Sequence, residues 1–203
     1  MKKDKKDKNT TTMHEIAEIR SLMERSSICV SLSGLGGILV GVCALVGIGL
    51  GYLFLPESGG NTLVFRALAA GVFLSALFCI TFFSFLRSRQ TKIKLWNTPT
   101  KRLVMHLATP FVAGSLIVLK LLELDHFELV PAASLIVYGI AVFSASHYST
   151  GETRWLACGE ILLGCVALYL PAGGWLLWAM GFGIFHIVFG AVMWNKHERN
   201  TEE

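Results

Sequence analysis

Residues 28–55 read ICVSLSGLGGILVGVCALVGIGLGYLFL, an apolar run without one Asp, Glu, Lys or Arg. A helix needs about 20 mostly apolar residues to cross about 30 Å of hydrocarbon at 1.5 Å per residue. This run is long enough to span. Working outward from it, five further apolar runs appear at about 63–86, 103–122, 127–147, 155–170 and 174–194, the fifth span being the shortest. The composition agrees. Of 203 residues, 53% are apolar and 16% charged, against about 25% charged in a soluble domain. An ordinary water-soluble fold is excluded. So is disorder, because Leu, Ile, Val and Phe are abundant, and the glycines show no three-residue collagen period. The expected fold is all-α: a polytopic transmembrane helix bundle of six spans, with a short cytoplasmic amphipathic helix before the first.

Turn chemistry separates the spans. Pro56 to Thr62, Leu122 to His126, Ser149 to Thr153 and Pro171 to Gly174 are rich in Gly, Pro and polar residues, which stop helices. The loops are short, so successive helices are antiparallel neighbours and no second domain fits. The organisation expected is a cytoplasmic tail over 1–27, a membrane domain over 28–195 and a cytoplasmic C-terminal tail over 196–203. The polar stretch before the first span is too long for a secretory signal.

Lys and Arg in short loops mark the cytoplasmic side. All but two of the 18 Lys and Arg fall on one side of a six-span layout: the N-terminal tail, the loop after span two, Arg154, and Lys196 with Arg199. Arg66 and Lys120 sit near the opposite ends of spans two and three, where their stems can snorkel. Glu123, Asp125 and Glu128 make one outer loop acidic, and both termini are therefore expected inside. Trp155 and Trp194 fall at the inner interface, Trp175 and Trp178 near the outer one, as amphipathic rings prefer. Trp96 lies in the basic loop.

In the tail, Thr12-x-x-Glu15 fits a capping box, followed by Met13, Ile16, Ile19 and Met23 at helical spacing. Such a helix lies at the headgroups. It serves either as a lead-in to span one or as a docking surface for a cytoplasmic protein, and the nearby lysines attract anionic lipid. Gly37/Gly41 and Gly47/Gly51 in span one, and Ala67, Gly71 and Ser75 in span two, form small-residue faces. These allow close helix packing within the chain or in a homodimer. Residues 36–45 (GGILVGVCAL) also match 159–168 (GEILLGCVAL) at six of ten positions, either a duplicated segment or the chance of a small membrane alphabet. The five cysteines (Cys29, Cys43, Cys79, Cys158 and Cys165) are scattered in apolar runs and read as small soft hydrophobes.

Ionisable groups at membrane depth are costly and face the protein interior or a wet cavity. The candidates are His186, nearest the midplane, Glu160 in span five, His106 inside the inner end of span three, and His147 at the inner end of span four. His186 reads as a neutral imidazole bonded between helices, or as a ligand or proton relay. Glu160 reads as a partner of Arg154 or His147, or as a proton-coupling carboxyl. A bis-histidine haem needs two rings at one depth. His106 and His147 share a side, while His186 has no histidine partner at its level. Glu123, Asp125, His126 and Glu128 could weakly hold a divalent cation but read as a solvated loop. No metal site and no cofactor are expected. No G-x-S-x-G, P-loop or dinucleotide fingerprint occurs, and the basic loop is explained by topology rather than nucleic acid.

Three stretches carry a resemblance: Glu18 to Ser27 with Ser31 to Gly37, Leu135 to Ser146 with Gly151 to Leu156, and Gly181 to Gly190. They resemble a family of small bacterial six-helix inner-membrane proteins with no assigned activity. The resemblance covers nearly the whole chain. It implies a bacterial inner-membrane location and carries over no site residues. The sequence thus leads first to a multi-pass, non-enzymatic protein acting through association with partners or lipid. One alternative is a small dimeric transporter or channel with Glu160 and His186 in a polar path. Another is a haem- or quinone-linked membrane component.

Overall fold

A computed structural model describes residues 33–54, 62–91 and 98–197. The tail with its proposed amphipathic helix, Cys29, Trp96 and the last C-terminal residues lie outside the described residues. Everything regular among the described residues is helical: α1 (Gly34–Phe54), α2 (Thr62–Thr91), α3 (Thr98–Glu123), α4 (Val130–Ala145), α5 (Gly151–Tyr169), α6 (Gly174–Trp178) and α7 (His186–His197). A π-helical segment, Ala179–Phe185, joins α6 to α7, so the three run as one rod.

The helix ends follow from local chemistry. Ser33 precedes α1, and its hydroxyl lies 3.5 Å from the Gly36 N–H, the group an N-cap side chain serves. α3 ends in a Schellman turn: the His126 N–H donates to the Leu121 carbonyl at 2.9 Å, with Asp125 at φ 58°. Asp tolerates that left-handed conformation better than most side chains. Pro131 then stands in the first turn of α4, where a missing N–H costs nothing. Pro171 blocks continuation of α5 and opens a 3₁₀ turn into the rod.

Five of the helical segments are long and apolar enough to cross a membrane: Gly34–Phe54, Leu63–Leu86, Thr100–Glu123, Phe127–Tyr148 and Pro171–Lys196. The chain is therefore a multi-pass helical membrane protein by length and composition. The expected fifth span differs. α5 forms, but Glu152, Arg154 and Glu160 leave it too charged to qualify by apolarity alone. α2 and α3 extend past the expected apolar runs, because helix formation continues into the charged flanks.

The rod lies between α1 on one side and α4 and α5 on the other; α2 flanks α1 and α3 flanks α4. Contacts alternate end for end. Gly34 meets Trp194, and Lys196 meets Glu152, at the end carrying most of the basic residues. At the opposite end the Phe65 ring lies 5.7 Å from Phe127 and 5.6 Å from Trp175. Phe73 stacks on Phe111 at 5.7 Å, joining α2 to α3.

Apolar burial drives little association between helices in lipid, so close approach and dispersion must do it. Glycine permits the closest approach. A Cβ at Gly190 would lie 2.5 Å from the Ile38 nitrogen and 2.6 Å from the Gly34 oxygen. Those atoms are backbone and cannot swing aside. The Gly37/Gly41 face is thus filled within the chain by Gly183, Ile187 and Gly190. Gly139 and Gly164 seat α4 against α5 in the same way. Ala44 and Ala167, equivalent in the 36–45 and 159–168 match, are both buried. By contrast α2 and α3 turn Leu74, Phe78, Met105, Val112 and Leu116 outward, toward hydrocarbon.

Candidate functional site

Three elements meet near mid-bundle. α5 supplies Glu160, nine residues in from Gly151 and so about 14 Å from that end. Its buried neighbours Thr153, Leu156, Ala157, Leu163, Gly164 and Ala167 share its helix face by three- and four-residue spacing. α7 supplies His186, its first residue. α4 supplies Tyr138. Glu160 is 0% exposed and His186 4%, so both are packed rather than facing open space.

The imidazole is engaged at both nitrogens. The Tyr138 hydroxyl lies 2.7 Å from His186 Nε2. On the other side, Nδ1 lies 3.1 Å from the Gly181 carbonyl oxygen and 3.4 Å from Glu160 Oε1. One proton arrangement satisfies both ring nitrogens with a neutral ring: Tyr138 donates to Nε2, and Nδ1–H donates to Gly181, with Glu160 nearby but not bonded. A second proton on the ring reverses the Tyr138 bond and sets an imidazolium beside the carboxylate. Phenol and imidazole are thus hydrogen-bonded, and the carboxyl stands beside the ring. Glu160 is the group left short. Neither of its oxygens has a hydrogen-bond partner among the described residues, and 3.4 Å exceeds an ordinary N–H···O bond.

The backbone of the rod makes room for this carboxyl. A Cβ at Gly181 would collide with Glu160 Oε2 and stand 2.6 Å from Leu135 Cδ2. The π-helical segment falls over Gly181 and ends at Phe185, just before His186. Such segments insert a residue into a helix, re-aim side chains and cluster at functional sites.

Toward the end that holds Phe65 and Trp175, aromatic rings continue the line. His186 stacks on Phe182 at 5.8 Å, and Phe182 lies 4.8 Å from Trp178. Trp178 Nε1 donates to Ser134 Oγ at 3.1 Å, and that hydroxyl donates to the Pro131 carbonyl at 3.0 Å. Toward the basic end lies a buried hydroxyl group. Ser149 Oγ and Thr153 Oγ1 are 2.9 Å apart, and Thr150 Oγ1 donates to Met193 Sδ at 3.3 Å. Thr153 sits two helical turns before Glu160 on the same face, about 10 Å away along the axis.

The four predicted candidates therefore separate into two places. Glu160 and His186 are brought together. His106 and His147 line a different pocket of about 340 Å³ with Ser144 and Tyr148. Glu160 takes His186 as its partner, not Arg154 or His147; Arg154 is exposed. Lys120 pairs with Glu123 at 3.0 Å on an exposed stretch of α3. In the loop after α3, His126 Nδ1 lies 3.4 Å from Glu128 Oε1, half exposed. Among the described residues no three His, Cys, Asp or Glu side chains group closely enough to hold a metal ion. At the basic end the Lys196 ammonium bonds Glu152 and holds its carboxyl below the ordinary 4.5.

Two members of the site were not singled out in the sequence: Tyr138 and Gly181. A signal existed. Trp178, Phe182 and His186 recur every four residues, and Ser134 and Tyr138 are likewise four apart, which places polar tips on facing stripes. Comparison with protein-family models, with curated proteins and with solved structures gives no match.

Proposed function

We propose that the chain is a six-span protein of a bacterial inner membrane, with both termini cytoplasmic. It takes up and releases a proton at Glu160 and His186 and couples this to carriage of a small solute. The observation that supports this reading is the Glu160 carboxyl: wholly buried, against an imidazole, and short of hydrogen bonds. A purely structural carboxyl at such depth would be expected to have its oxygens satisfied, because an unsatisfied buried polar group costs about 1–3 kcal/mol, more if charged. A carboxyl that exchanges a proton has reason to be left short. The π segment offers a place where the rod can re-register and open the packed pair, as intramembrane carboxyl and histidine relays in pumps and transporters require.

Association with partners or lipid, the leading expectation from the sequence, is the second reading: residues 1–27 lie outside the described residues, and Glu160 and His186 packed with no open space beside them are what it expects, while the Gly37/Gly41 face that could have paired two copies is occupied within the chain. The redox alternative gains nothing from His186, whose nitrogens face Tyr138, Gly181 and Glu160 rather than a second imidazole.

The test is a pH jump on proteoliposomes adsorbed to a solid-supported membrane. A proton entering a mid-membrane site carries charge partway across the bilayer and gives a transient current, even before a solute is known. The expected result is a transient in the wild type that disappears in Glu160→Gln. No transient, or one unchanged by Glu160→Gln, overturns the reading.

A further inference from the structure

We propose that the pocket between α3 and the 3₁₀ turn Ser146–Tyr148 binds the phosphate of an anionic phospholipid. The pocket holds about 340 Å³ and is lined by His106, Ser144, His147 and Tyr148. That is the lower range of a small-molecule site. Its polar groups can all donate. The Tyr148 ring lies 4.9 Å from the His106 ring, tilted by 37°, and Ser144 Oγ is 3.5 Å from His106 Nδ1. His106, His147 and Tyr148 each bring a ring N–H or hydroxyl to the lining residues of this pocket. No carboxylate is among the described residues that line it. Arg102 lies one helical turn before His106 on α3, on the same side of the helix. A mostly apolar pocket whose few polar side chains can donate, with an arginine one helical turn away, suits the phosphate and adjoining carbon of a lipid headgroup.

Its position identifies the source of that anion. The pocket lies at the basic end of the bundle, where α3 begins and α4 ends. His106 and His147 are both exposed there. From that level Met105, Val112 and Leu116 run outward along α3, so a headgroup in the pocket has an apolar stripe along which acyl chains can lie. Basic pockets between membrane helices on the cytoplasmic side hold anionic headgroups in this way. The site is separate from Glu160 and His186, and the proposal does not depend on the proton reading.

The test is native mass spectrometry of the full chain released from mixed bilayers of phosphatidylglycerol and phosphatidylcholine. The wild type is expected to retain phosphatidylglycerol in preference to phosphatidylcholine. His106→Ala with His147→Ala is expected to lower that retention about tenfold, as loss of charge-assisted bonds does. Tyr148→Phe, which removes one hydroxyl and keeps the ring, is expected to lower it about threefold and decides the matter if the double variant does not fold. Inorganic phosphate is added in a parallel arm. Displacement of the lipid by phosphate alone would assign the pocket to a soluble anion and overturn the membrane source. Retention unchanged in Tyr148→Phe and in a folded double variant overturns the site. An adduct of quinone mass that the variants remove overturns the ligand class.

Discussion

His186→Phe is the perturbation that reads the central cluster most sharply. Phe keeps a flat ring of similar size in a site already bordered by Phe182, so packing changes little. It removes three polar contacts at once: Tyr138 at 2.7 Å, the Gly181 carbonyl at 3.1 Å and Glu160 at 3.4 Å. Glu160, 0% exposed, is then a buried carboxyl facing carbon. Leaving buried polar groups such as the Tyr138 hydroxyl and Gly181 carbonyl without a partner costs about 1–3 kcal/mol. For a chain of this size that corresponds to a fall of roughly 2–12 °C in the unfolding midpoint, at about 2–4 °C per kcal/mol. Glu160→Leu alone restores an apolar contact and leaves the imidazole its bonds to Tyr138 and Gly181, so its cost is expected to be smaller. The double variant His186→Phe/Glu160→Leu removes the unpaired charge altogether. Replacing a whole buried pair by apolar residues is often neutral or stabilising, so the double variant is expected to recover part of the loss. The assay is thermal unfolding in mild detergent, followed by intrinsic tryptophan fluorescence. Additive losses, with the double variant falling by the sum of the singles, would show that the two side chains do not interact and would refute the geometry argued above.

Other outcomes follow from the same contacts. Gly190→Ala is expected to lower stability by about 1–3 kcal/mol, the usual cost of overpacking, because Ile38 and Gly34 backbone atoms stand in the way. Gly49→Ala, where a Cβ meets nothing within 4 Å, is expected to change the same thermal midpoint little. Gly181→Ala is expected to abolish the pH-jump current while the protein remains folded, because the new methyl displaces the Glu160 carboxyl. The Glu152–Lys196 pair depresses the Glu152 value, so its contribution is full above the ordinary carboxylate value and is lost as pH falls through the depressed one. With both side chains partly exposed, that contribution is about 0.5 kcal/mol. The stability gap between wild type and Glu152→Gln, measured by the same thermal assay, is expected to be present near neutrality and to close on acidification below the ordinary 4.5.

The helical architecture was legible because length and apolarity alone dictate it. Residues 34–54 and 63–86 leave no other structure for a chain without water to bond its backbone. The short loops forced antiparallel neighbours, and contacts such as Gly34 with Trp194 and Phe65 with Trp175 show that alternation. α5 was legible as a helix but not as a plain span, since the charges that make it interesting also lower its apolarity. Glu160 and His186 were visible singly, because an ionisable residue in an apolar run stands out. Their pairing was not. It depends on a π segment that shifts the register of the rod by a fraction of a turn, and no spacing rule over residues 174–194 announces one. Tyr138 was hidden because a tyrosine in an apolar helix looks like any other aromatic until its hydroxyl finds a partner. His106 and His147 could be placed at one end, but their convergence on one pocket needed the α3–α4 packing.

The proposed function requires a proton to enter and leave at Glu160 in the folded protein. The most direct measurement is pH-difference infrared spectroscopy of the chain in bilayers, comparing wild type with Glu160→Gln and Tyr138→Phe. The account predicts a carboxyl band from one buried group that changes with pH, is absent in Glu160→Gln and is displaced in Tyr138→Phe. A spectrum in which Glu160→Gln removes no pH-dependent band would contradict it, leaving Glu160 in one fixed protonation state.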